Sequence, residues 1–357
     1  MVSLTWLRQL QSEWHIPDII PERCVHQHCE IAQCTRCVDS CPLSAWSLDK
    51  SGLKLNVATC DSCGLCVAAC PQQALAQAQY PLLGLINQHK SLITYCERYE
   101  GFKAGKGLVP CLHALSLSTL AHYYHLGYRH LYVLSGACEA CQRFGKTPTL
   151  QQNVNTLNQL LESRQSEPIQ LQLIDHKTLK SYRKQLESVQ ADQAAISRRQ
   201  FFRQAVSVVV ETVEQGELPS ETLSAAVISW VELLPNNALK GVLFPYVPRI
   251  EAQRCNGCDA CVRLCPQQAI TLHKESDSLA YEMKAERCTD CGLCVQVCDQ
   301  GAIRLEYLQP APENTLLQTN YCKACGSPFH YPADQTEQDY CRICAKKNHH
   351  RLLFQVY

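Results

Sequence analysis

The chain lacks an excess of charge of either sign. Its 33 Lys and Arg are matched by 33 Asp and Glu, so the formal net charge is zero with His neutral. A surface built to grip nucleic acid needs a basic surplus, and none is implied. No apolar run approaches the ~20 residues that a membrane-spanning helix requires. The opening stretch, MVSLTWLRQLQSEWHIP, carries an early charge and has no apolar core of signal-peptide length. Absent too are a glycine-rich dinucleotide loop, a phosphate-binding loop and a His–carboxylate constellation beside the thiols. These absences argue against a nucleic-acid binder, a membrane span and a self-contained enzyme; the expectation is a cytoplasmic protein that is not itself an enzyme.

What the chain does have is cysteine, 25 in 357 residues. An odd total arrayed in C-x2-C runs argues for metal sites in a reducing compartment rather than a disulfide framework. The length suggests about two to four domains.

The clearest motif is Cys255, Cys258, Cys261 and Cys265 followed by Pro266, spaced C-x2-C-x2-C-x3-C; Cys288, Cys291, Cys294 and Cys298 repeat it 33 residues later. Two-residue gaps let a turning backbone aim successive thiolates at one centre, and the fourth Cys serves the neighbouring cluster when two motifs are paired. Cys255, Cys258, Cys261 and Cys298 are therefore assigned to one 4Fe–4S cluster, and Cys288, Cys291, Cys294 and Cys265 to a second. The stretch resembles bacterial two-cluster ferredoxins, departing only at Asp299, where Pro is usual.

Residues 24–80 read as another such module. CDSCGLCVAACPQQAL supplies Cys60, Cys63, Cys66 and Cys70, and is close enough to CNGCDACVRLCPQQAI to suggest duplication. Cys34, Cys37 and Cys41 align with Cys63, Cys66 and Cys70 at a constant offset of 29, which leaves Ile31 where the first ligand should stand. Cys29, needing only a two-residue insertion, is preferred over Cys24; His26 and His28, between them, read as solvated loop residues. The expected sets are Cys29, Cys34, Cys37 and Cys70 for one 4Fe–4S cluster and Cys60, Cys63, Cys66 and Cys41 for the other.

Between the modules the character changes. In residues 81–178, SLITYCE, LVPCLH, HLYVLSGAC and IQLQLID read as strands with helices between, an α/β unit with parallel strands. Cys96, Cys111, Cys138 and Cys141 sit at strand ends, which in such a sheet converge on one rim. This stretch resembles the delta subunit of methyl-viologen-reducing hydrogenase, with a single Cys after the first strand and a C-x2-C pair after the third. The resemblance implies a 2Fe–2S cluster on these thiols; inert buried thiols, or a redox-active pair at Cys138 and Cys141, are the readings it competes with.

Residues 1–23 read as a short amphipathic helix and 179–248 as a helical linker. Within the linker, SRRQFFR followed by AVSVVV resembles a twin-arginine export signal, though its internal position favours an ordinary helix. After the second module, at 249–310, residues 318–357 carry Cys322, Cys325, Cys341 and Cys344 as C-x2-C-x15-C-x2-C. Paired knuckles present sulfurs tetrahedrally, and the segment resembles a zinc ribbon, with rubredoxin-like iron as the alternative.

The expected whole is an α+β multidomain protein of two dicluster ferredoxin-like modules, a central α/β domain, a helical linker and a zinc ribbon. It would hold four 4Fe–4S clusters, one zinc and, by the hydrogenase resemblance, a 2Fe–2S cluster. The functional expectation is electron transfer to or from a partner oxidoreductase. The competing one is an accessory factor for a molybdenum-dependent, twin-arginine-exported enzyme such as formate dehydrogenase.

Overall fold

A computed structural model describes residues 16–49, 52–77, 81–99, 107–186, 229–235, 241–275 and 278–347. Residues 1–15 and the SRRQFFR stretch lie outside the described residues; the rest of the helix expected over 1–23 is corrected, since Asp18–Ile19 is a strand and Pro21–Arg23 a single 3-10 turn entered through a proline.

The central sheet is organised by the strand His89–Cys96, whose residues from Ser91 onward are all buried. Side chains of a strand alternate between faces, so such a run must be covered on both. Leu92 and Cys96 join Leu131 and Val133 on one face, under the helices Leu117–His125 and Leu150–Glu162. Ile93 and Tyr95 join Tyr132 and Leu134 on the other, with Leu179 and Leu186 of the helix that begins at residue 176. The two covering helices start where the sequence caps them. The Ser116 hydroxyl accepts from the Thr119 amide at 3.2 Å, and Thr149 and Gln152 form a reciprocal capping box.

The strands His89–Cys96, His130–Leu134 and Gln170–Leu173 run parallel, as does the short Leu108–Val109. The sheet also has an antiparallel edge strand that is not among those expected. Leu82–Ile86 pairs antiparallel with His89–Cys96 through a tight turn at Asn87 and Gln88, both in the left-handed region. Only two residues separate these strands, too few for the crossover that parallel neighbours need.

Each cysteine-rich module is a pair of short helices closed by a terminal strand pair and an inner hairpin. In the first, Asp18–Ile19 pairs with Leu75–Ala76 and Trp46–Asp49 with Gly52–Leu55. In the second, Leu243–Ile250 pairs with Ile303–Pro310 and Ile270–Lys274 with Leu279–Met283. That second hairpin does not stop at the module. Leu279–Met283 also pairs with Thr315–Tyr321, which pairs with Pro328–Pro332, so the C-terminal ribbon extends the module's sheet to four strands.

The three bodies touch one another pairwise. Arg143, 1% exposed, reaches from the central domain to Asp61 of the first module at 2.7 Å. The Trp230 indole N–H, whose ring packs in the central core, donates to the Cys288 carbonyl of the second module at 3.2 Å. Between the modules, the Gln72 amide donates to Thr289 and accepts from Gln267. No helix among the described residues is long and apolar enough to cross a membrane.

Candidate metal centres

All 25 cysteines are free thiols, and most converge on a few places. The convergence begins with backbone. Each first Cys of a regular loop is followed by left-handed residues on both sides of the second: Ser62 and Gly64, Gly257 and Asp259, Asp290 and Gly292. These turns coil the chain around one point, which is why the two-residue gaps work.

The fourth Cys of each motif is fixed by another repeated device. Three residues on, the backbone is left-handed at Ser44, Gln73, Gln268 and Gly301. The next amide then donates back to the thiol: Ala45 to Cys41 at 3.2 Å, Ala74 to Cys70 at 3.2 Å, Ala269 to Cys265 at 3.1 Å and Ala302 to Cys298 at 3.2 Å. Asp299, standing where Pro is usual, leaves this turn intact.

The sulfurs then meet across motifs. Cys255, Cys258, Cys261 and Cys298 line one void, and Cys265, Cys288, Cys291 and Cys294 another. In the first module, burial pushes the Cys60 and Cys66 thiols up, and Cys41 lies close enough to both to add to the rise.

The remaining void bears on the choice between Cys24 and Cys29. It is lined by Cys24, Cys34, Cys37 and Cys70; Cys29, the expected first ligand, is not among its lining residues. The physical reason is local. Pro21–Arg23 is a single turn of 3-10 helix that delivers Cys24 with φ −70° and ψ 131°. Ala252–Arg254 delivers Cys255 at −73° and 130°, and Ala285–Arg287 delivers Cys288 at −72° and 129°. The helical turn Val25–His28 fills the extra length before Cys34 and carries Cys29 past the void. His26 and His28 bond the Cys34 and Glu22 carbonyls through their Nε2 atoms.

Burial dominates the electrostatics. Desolvation pushes Cys66 up to about 11 and Cys37, Cys261 and Cys288 up to about 12, with neighbouring thiolates adding to the rise in all four. Thiols so disposed become good thiolate ligands when a multiply charged cationic centre sits among them. The inward N–H groups favour the same negative charge, so these all-thiol sets fit iron–sulfur clusters.

The central domain brings Cys96, Cys111, Cys138 and Cys141 to one rim, around a cavity of about 360 Å³. The voids of the second module measure about 20 Å³ each, so the central cavity is far larger. Burial pushes Cys111 up to about 11, opposed by the His113 backbone N–H. Arg143 ties the rim together. Its guanidinium donates to the Asp61 carboxylate, to Glu97 at 2.6 Å and to the Pro110 carbonyl at 2.6 Å. It thus fixes the residue after Cys96, the residue before Cys111 and the loop between Cys60 and Cys63. The spacing of Cys gave no hint of this arginine.

At the C-terminus the sulfurs of Cys322, Cys325, Cys341 and Cys344 all lie within 4.8 Å of one another, Cys325 and Cys341 at 3.9 Å. Four sulfurs tetrahedrally placed ~2.3 Å from one ion are about 3.8 Å apart, so the group suits a single metal ion. Gly326, at φ +70°, makes the first knuckle turn. His349 and His350 lie outside the described residues.

Comparison with known families agrees with the cysteine loops. A 4Fe-4S dicluster domain matches residues 28–75, and a second 4Fe-4S dicluster domain matches 254–302. The first match begins after Cys24 and includes Cys29, whereas the geometry places Cys24 at the void. No curated protein matches the chain. Two dicluster ferredoxin domains fit a polyferredoxin-like organisation, and they support an iron–sulfur electron-transfer role.

Proposed function

We propose that the chain conducts electrons through a connected series of iron–sulfur sites, between a partner oxidoreductase such as a hydrogenase or formate dehydrogenase and a second redox partner. One observation carries this reading: every site has a neighbour. Cys111 of the central rim packs with Cys63 in one buried cluster. Cys66 of that site acts on Cys37 of the next, Cys34 there acts on Cys291 across the module boundary, and Cys261 acts on Cys294 beyond it. The order is thus central rim, then the Cys60 site, the Cys24 site, the Cys288 site and the Cys255 site.

In this reading four 4Fe–4S clusters are held by Cys24, Cys34, Cys37 and Cys70; by Cys41, Cys60, Cys63 and Cys66; by Cys265, Cys288, Cys291 and Cys294; and by Cys255, Cys258, Cys261 and Cys298. A 2Fe–2S cluster on Cys96, Cys111, Cys138 and Cys141 forms the open end, where the large cavity admits a partner's redox group. Clusters supply one-electron chemistry; the protein's part is to hold them near one another and to exclude water. Nothing in the arrangement calls for a catalytic residue, and the protein is read as a cytoplasmic carrier or subunit rather than an enzyme.

Zinc on Cys322, Cys325, Cys341 and Cys344 is read as structural. The ribbon it stabilises closes the far end: Gln335 donates to the Cys255 carbonyl at 2.7 Å, and His330 contacts Asp259 at 2.8 Å. Reduction by a low-potential donor, followed at each cluster by EPR, tests the reading. All clusters should be reducible through one entry point. A module that stays oxidised while the others fill would break the series.

A further inference from the structure

His113 is buried to 91%, lines the central four-cysteine cavity, and its Nε2 has no hydrogen-bond partner. Its other ring nitrogen is committed. The amide of Leu150, the first residue of the helix Leu150–Glu162, donates to Nδ1 at 3.1 Å. A nitrogen that accepts from an amide carries no proton, so in the neutral ring the proton sits on Nε2. Nε2 is then a donor, with no lone pair for a metal, and a buried N–H without an acceptor costs about 1–3 kcal/mol. The ring itself is held in place, backed edge-on by Phe144 with centroids 5.9 Å apart.

We propose that the His113 Nε2–H donates a hydrogen bond to a sulfur of the cluster in this cavity, a thiolate or a bridging sulfide, and so sets its reduction potential. The proposal rests on the reading of Cys96, Cys111, Cys138 and Cys141 as cluster ligands. A donor aimed at sulfur stabilises the more negative, reduced state, so it raises the potential. His113 is a positioning and tuning residue rather than a ligand. It makes the open end of the series a better electron sink than four thiolates alone would.

The test is an EPR redox titration of the full-length, cluster-loaded protein, with the central cluster identified as the signal lost in Cys138→Ser. His113→Leu should lower the midpoint of that signal by about a tenfold change in the oxidised-to-reduced ratio, ~59 mV for a one-electron couple. His113→Gln, which can still accept from Leu150 and donate into the cavity, should restore most of it. The other clusters should not move. Resonance Raman of the Fe–S modes should show a deuterium shift in the wild type that is smaller in His113→Leu, where only the backbone donors remain. Should His113→Leu fail to fold, His113→Asn, whose shorter amide keeps the Leu150 contact but falls short of the cavity, carries the same expectation. An unchanged midpoint with the cluster present overturns the role of His113 alone. If Cys138→Ser removes neither signal nor iron, the cluster reading itself fails and the proposal with it.

Discussion

The Arg36 guanidinium meets the Asp290 carboxylate at 2.6 Å, joining two cysteine motifs that lie 254 residues apart in sequence. Asp290 is 4% exposed, sits between Cys288 and Cys291, and also accepts from the Tyr307 hydroxyl at 3.3 Å. Burial pushes its carboxyl up, and Arg36 opposes the shift. Arg36 stands between Cys34 and Cys37, so the pair pins the two facing cluster loops to each other. Arg36→Ala leaves the carboxylate buried with one partner fewer. The cost should be about 1–2 kcal/mol, reduced by the exposure of the guanidinium. Chemical denaturation of the cluster-loaded protein measures it, and an unchanged midpoint would remove the pair from the interface account.

Cys24 and Cys29 should separate cleanly. Cys24→Ser is expected to lose or weaken one 4Fe–4S signal, while Cys29→Ser leaves the spectrum and the iron content as in the wild type. The reverse pattern would restore the ligand that spacing alone suggested.

Metal content follows from the ligand sets. Anaerobically prepared protein should carry about 16 to 18 iron atoms and about one zinc. Removing zinc with a chelator should release the ribbon from the Cys255 loop and make that loop's cluster more sensitive to oxygen. A content near eight iron after full reconstitution would mean an empty module.

Gly257 stands at φ +66°, and a Cβ there would lie 1.9 Å from the His330 carbonyl oxygen. The ribbon strand and the cluster loop touch backbone to backbone at this point. Gly257→Ala should therefore weaken both ribbon docking and the cluster held by Cys255, at a cost of several kcal/mol. Cluster retention during gel filtration reads this out, and retention equal to wild type would contradict the contact.

Arg143 predicts an acid dependence. Burial raises the Asp61 carboxyl, but the hydrogen bonds and charge of Arg143 outweigh it and hold it below the usual range. A depressed carboxylate contributes stability that is present above its unfolded pKa of ~3.9 and lost as pH falls through the lower folded value. Arg143→Gln should flatten that limb of the stability curve and loosen the central rim. A limb as steep as in wild type would show that Asp61 owes its shift to something else.

The cysteine loops were legible because their geometry is local: two-residue gaps, left-handed turns and a back-donated amide all fall within a dozen residues. Cys24 was not legible by spacing, since Val25–His28 inserts a helical turn before Cys34. A signal was nonetheless present: Glu22-Arg23-Cys24 repeats as Gln253-Arg254-Cys255 and Glu286-Arg287-Cys288, each a 3-10 turn entering a first ligand. The strands of the central sheet were legible from their apolar runs, but the antiparallel edge at Leu82–Ile86 was not, because pairing direction depends on the turn at Asn87 and Gln88. Arg143, His113 and the Arg36–Asp290 pair could not be read at all. Their partners are brought together only by tertiary packing, within the central domain for His113 and across the bodies for Arg143 with Asp61 and Arg36 with Asp290.

The most direct test of the connected series is magnetic. In the fully reduced protein, the cluster beside Cys34 should interact with the one beside Cys291 across the module boundary. Electron-spin relaxation of the first module's clusters should then be fast in the wild type and slow markedly in Cys291→Ser, which removes the facing cluster while leaving the first module's ligands whole. Relaxation identical in the two proteins would mean that the modules are electrically separate, and would contradict the account.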